Sequence, residues 1–109
     1  MSTSLPAIIT TYFDVAAQGD PNSYLALFDD DAVVEDEGKT YRGIDAIRQW
    51  RSDVPLVSYD ITSADGEPDG SVVVTCTITG DFPGSPFEGL RFHFVSFDET
   101  RIRLLYIRT

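Results

Sequence analysis

Apolar residues change their spacing once along this chain, near Val54, and the change separates a helical part from a strand part. Before it, Leu5, Ile8, Ile9, Tyr12, Phe13 and Ala16 recur at three- and four-residue intervals, one apolar stripe along a helix. Ser4 reads as the N-cap of that helix and Gly19 as the left-handed residue that ends it. Asp20-Pro21, a cap followed by proline at the first helical position, starts a short second helix with Tyr24, Leu27 and Phe28 inward. The acidic run 29–31 breaks it, residues 32–36 read as a short strand, and Gly43 opens a third helix to about Ser52 with Ile44, Ile47 and Trp50 on its apolar side. From Val54 onward the period is two. "VPLVSYDITS" reads as a strand, "ADGEPDG" as a turn-rich connection, "SVVVTCTITG" as a β-branched strand and "DFPGSPFEG" as a loop. "LRFHFVSF" and "RIRLLYIR" are two further strands joined by a tight turn at 98–100. Helices first and antiparallel strands after predict an α+β domain with its helices on one face of a sheet.

All 109 residues fit a single domain, large enough to bury a core without staples. Cys76 stands alone and cannot form an internal disulfide, and the N-terminal stretch lacks the basic and long apolar segments of a signal peptide. A cytoplasmic protein without membrane spans is the expectation. The net charge of −10 repels phosphate backbones and anionic lipid, and the arginines (Arg51 among them) are scattered, which disfavours nucleic-acid and membrane partners. "DDDAVVEDE" lacks the Gly-centred loop of a calcium hand and the chain has one histidine, so no metal site is expected. There is no phosphate loop, nucleophile triad or Cys/His cluster.

Neither of the last two strands alternates cleanly. Leu90, Phe92 and Phe94 share one face, while Arg91, His93, Val95 and Phe97 share the other. Apolar residues on both sides require both faces to be covered. Helices cover one, and the expectation for the other is a homodimer formed through Leu90, Phe92 and Phe94.

"LFDDDAVVEDEGKTYRGIDAIRQW" and the closing "FVSFDETRIRLLYI" resemble the nuclear transport factor two-like domains, including SnoaL-like polyketide cyclases and ketosteroid isomerases. The resemblance spans the chain and implies helices packed in the concave face of a strongly curved, mainly antiparallel sheet, a cone-shaped, cystatin-like α+β barrel with an apolar pocket. Laid against ketosteroid isomerases, the stretch from Tyr12 to Asp36 runs without a gap. The resemblance puts Tyr12 on the tyrosine that donates to the substrate oxygen and Asp36 on the general base. It puts His93 on the second oxygen-binding position, normally a protonated Asp, with Trp50, Val95, Phe97 and Phe13 lining the pocket. Glu37 replaces the usual Pro after the base. Because histidine replaces the acid, ketosteroid isomerisation itself is expected to be weak or absent. Each residue also has a plainer reading: Tyr12 as core, Asp36 as a strand end at the surface, His93 as a structural histidine. Three functions stay open: cofactor-independent proton transfer on an apolar carbonyl compound, binding of an apolar molecule with a carbonyl or phenol oxygen without turnover, and a dimerisation module.

Overall fold

A computed structural model describes residues 5–54 and 56–109. Ser4, read as a helix cap, lies outside them. Helix α1 (Ala7–Gln18) follows Pro6 and ends at Gly19, whose φ of 82° is the left-handed geometry the sequence signals. Helix α2 (Pro21–Leu25) is capped by Asp20, whose Oδ1 accepts from the Asn22 N–H at 3.1 Å. Leu27 and Phe28 are buried as expected, but beyond the helix. Strand β1 (Phe28–Asp36) includes the acidic triplet, which falls in a register shift between Phe28, opposite Ile102, and Val33, opposite Leu104.

Strand β2 (Lys39–Arg42) returns antiparallel to β1 through Glu37 and Gly38, both at positive φ (53° and 76°), as a two-residue hairpin requires. Helix α3 (Ile44–Ser52) follows, then β3 (Val57–Gly66), β4 (Val72–Gly80), β5 (Phe87–Phe97) and β6 (Ile102–Arg108). The six strands form one mixed sheet, ordered β2-β1-β6-β5-β4-β3. The β1–β6 pair is parallel and the others are antiparallel. The α+β architecture stands as expected, with the sheet curved but not closed.

The curvature follows from side-chain contacts. Tyr12 and Phe13, adjacent in α1 with ring centroids 5.1 Å apart, touch Phe28 of β1 at 6.3 Å and Tyr59 of β3 at 5.4 Å. A flat sheet would hold those two strands about 19 Å apart. The sheet therefore bends around α1, and its inner face builds the core.

The expected assignment of faces on β5 is reversed. Phe92 pairs across the ladders with Val74 and Ile107, and Phe92 and Phe94 are 3% and 0% exposed. Their rings pack on Tyr12 and Phe13, so they belong to the inner face and not to an outer dimer surface. Leu90 is half-buried against the same core. His93 pairs with Val73 and Tyr106 on the outer face. Register shifts around Ser96 break the alternation, leaving Phe97 opposite buried Ile102 and packed against the core.

Candidate functional site

The inner face of the sheet is not completely filled by the helices. A cavity of about 570 Å³ remains, with Tyr12 from α1, Asp36 from β1, Trp50 and Arg51 from α3, Tyr59 from β3 and Phe92 from β5 in its wall. Its lining is largely apolar with a few convergent polar groups, the composition of a small-molecule site.

Asp36 reaches the cavity because it closes β1 beside Ile107 of β6, its ladder partner and another lining residue. Its Oδ2 accepts the Trp50 Nε1–H at 3.1 Å. Burial raises its pKa above the ordinary carboxylate value; the Trp50 bond pulls it back, and the charge of Glu37 adds to the rise. The result is a half-buried carboxylate with a raised affinity for protons, suited to accepting one from carbon. Asp36, Glu37 and Trp50 also border a second depression of about 560 Å³, beside Lys39, Tyr41 and Asp53. Both sides of the Asp36–Trp50 pair thus meet open space.

Tyr12 is 1% exposed, and its hydroxyl lies 2.9 Å from that of Tyr24. Burial raises both phenols above their ordinary value, so both remain protonated donors. A single bond between them uses one of the two protons. Either hydroxyl can donate to the other; when Tyr24 does, the proton of Tyr12, the one of the two in the cavity wall, is left for a cavity occupant.

Of the residues expected in the site, Tyr12, Asp36 and Trp50 line the cavity, and Phe13, His93, Val95 and Phe97 do not. Phe13 stands behind the wall, stacked on Tyr59 and Phe92. Val95 is half-buried. His93 is on the other side of the sheet, with Nε2 3.3 Å from Ser71 Oγ and its ring edge-on to Tyr106. The Ser71 hydroxyl donates to Asp69 Oδ1 at 2.6 Å. Serine therefore stands between acid and histidine, the wrong order for an activated nucleophile. Burial pushes the Cys76 thiol up to about 12, which removes it as a nucleophile as well.

Sequence reasoning passed over Arg51, Tyr59 and Glu37 as wall residues. Arg51 carried a signal in its place directly after Trp50 on the helix that faces the sheet. Its guanidinium Nη2 donates to the Ala16 carbonyl at 2.7 Å, and its Cζ lies 4.3 Å from the Tyr24 ring centroid.

No curated protein matches the chain. Among solved structures, a protein from Sinorhizobium meliloti provisionally named a polyketide cyclase is 33% identical over 95% of each chain, with a TM-score of 0.83. A ketosteroid isomerase-like fold protein from Catenulispora acidiphila, in complex with trimethylamine, superposes with a TM-score of 0.78 at 21% identity, covering 97% of this chain and 87% of that one. The Anabaena orange carotenoid protein, which binds canthaxanthin, gives 0.80 at 17% identity, with 98% of this chain matching 36% of the longer one. Residues 9–103 match the family model of the SnoaL-like domain, and the chain belongs to that family.

Proposed function

We propose that the protein is a small-molecule enzyme of the isomerase or cyclase type that moves a proton on an apolar carbonyl compound, without a cofactor. The observation that carries this reading is that the Asp36 carboxylate and the Tyr12 ring share one largely apolar cavity. Asp36 takes a proton from the carbon beside the carbonyl. The electron pair moves onto oxygen, where the Tyr12 O–H meets the developing charge, and protonated Asp36 returns the proton to a different carbon. The similarity to the Sinorhizobium meliloti protein supports the cyclase side of the proposal. Binding without turnover is the second reading, favoured by His93 lying outside the cavity, which leaves the oxygen one donor short of the expected pair. Homodimerisation stays a proposal, but on the outer face of the sheet, where His93, Val73 and Tyr106 are half-buried.

The test is deuterium wash-in at the enolisable carbon of 2-tetralone, followed by NMR. Catalysed exchange is expected, and Asp36→Asn lowers it by about 10² to 10⁴ while sparing ligand affinity. Full exchange in Asp36→Asn removes Asp36 from the base role. Binding without exchange in the unaltered protein selects the second reading.

A further inference from the structure

Along with the Asp36 and Glu37 carboxylates, the cavity wall holds a cation, Arg51, that no acid among the described residues meets in an ion pair. Among the described residues, the ion pairs join Arg103 to Asp29 and Asp98, and Arg108 to Glu35; none includes Arg51. Arg42, Arg48, Arg91 and Arg101 also lack an ion pair but are exposed, so Arg51 stands apart as the one arginine that is both unpaired and half-buried among the described residues. Arg108 also borders the cavity, but Glu35 holds it at 3.0 Å. Arg51 is half-buried, and its guanidinium is fixed by the Ala16 carbonyl and the Tyr24 ring. One N–H serves that carbonyl, leaving several of the five for other acceptors. Tyr12, Tyr24 and Tyr59 stand close enough to couple to its charge. Removing a guanidinium from water without a counter-charge costs free energy that an incoming anion offsets.

We infer that the cavity takes an apolar molecule bearing one carboxylate, and that Arg51 receives this group beside Tyr12 and Tyr59. The inference rests on the small-molecule reading above and names its ligand class. A planar guanidinium matches a carboxylate with paired N–H···O bonds, which an ester cannot reproduce. The body of the ligand lies against Ile78, Leu90 and Phe92. A net charge of −10 disfavours the approach of any anion, so a preference for acid over ester has to come from this local cation.

The experiment compares adamantane-1-carboxylate with its methyl ester, using the fluorescence of Trp50, the single tryptophan and a wall residue. The acid is expected to bind about 10- to 100-fold more tightly than the ester, the range of hydrogen bonds to charged groups. Arg51→Gln abolishes that ratio and leaves ester affinity within about twofold. Arg51→Lys keeps a cation for the Ala16 carbonyl but loses the fork. It lowers the ratio severalfold, and it decides the matter if Arg51→Gln does not fold. An acid-to-ester ratio near one, or a ratio unchanged in both variants, overturns the Arg51 inference while the pocket reading stands. Failure of both probes to bind, checked by calorimetry, overturns both.

Discussion

Phe92→Ala separates an inward from an outward Phe92 by energy. The ring is 3% exposed and its centroid lies 5.2 Å from Phe13, 5.9 Å from Tyr59 and 6.1 Å from Tyr12. Truncating a buried phenylalanine costs about 3–5 kcal/mol, from lost burial and the void left behind. One side of this ring already borders the cavity, so it has fewer contacts to lose, and the low end, about 3 kcal/mol, applies. For a domain of this size each kcal/mol moves the melting temperature by about 4–8 °C, which gives a fall of about 12–24 °C. Urea unfolding followed by circular dichroism should show the midpoint falling with an unchanged slope, because the surface exposed on unfolding is nearly the same. Light scattering on the same samples reports the mass. An outward Phe92 at a subunit contact gives the opposite pattern, with chain stability within about 0.5 kcal/mol and a change of mass. A loss below about 1 kcal/mol would refute the inward placement.

Tyr24→Phe removes the bond to the Tyr12 hydroxyl and should slow 2-tetralone exchange, whereas Tyr12→Phe should slow it further and cost about 1–3 kcal/mol for the Tyr24 hydroxyl left buried and unpaired; equal rates in both variants would contradict Tyr12 as the oxygen donor. His93→Ala should leave exchange and ligand affinity within about twofold and cost at most about 1 kcal/mol of stability, and a tenfold loss of rate would return His93 to the site. Trp50→Phe deletes the N–H that favours ionised Asp36, so the Asp36 carboxyl signal in ¹³C NMR should titrate at higher pH; an unchanged or lower midpoint refutes that bond. The folded state holds the Asp36 proton more tightly than the unfolded chain does. Stability therefore falls as pH rises from the unfolded carboxylate value through the folded one, and the variant should extend that window upward.

The first helix and the start of the second were legible because their signals are local: a three-four stripe, Gly19 at positive φ, and Asp20 capping ahead of Pro21. Strand β2 was not, since "KTYR" shows no apolar alternation. Its signal was the turn before it, where Glu37-Gly38 supplies the two positive φ values of a tight hairpin. The cavity wall was legible in Tyr12, Asp36 and Trp50, whose positions depend on helix stripes and a strand end. It failed at His93 because parity tells which residues of β5 share a face and not which face is inside. Large apolar residues on both sides removed the usual cue, and the register shifts near Ser96 then parted Phe97 from His93. Arg51 escaped notice because its half-burial in the cavity wall, where the other arginines are exposed, is set by tertiary packing around α3.

Strand β6 lies between β1 and β5, so among the described residues the β2–β1 hairpin and the β5–β4–β3 meander are joined within the sheet through β6 alone. Val34 waits for Leu105, roughly 70 residues later, before its ladder can form. Closing so long a loop is slow, and until it happens Asp36 has no fixed place relative to β5. During synthesis the base and the Phe92 wall are therefore separate pieces, and a ribosome must finish β6 before the cavity exists. Ligand cannot template the early chain, and a nascent protein stalled before Ile102 should present an unpaired β5 edge, a target for chaperones rather than for substrate.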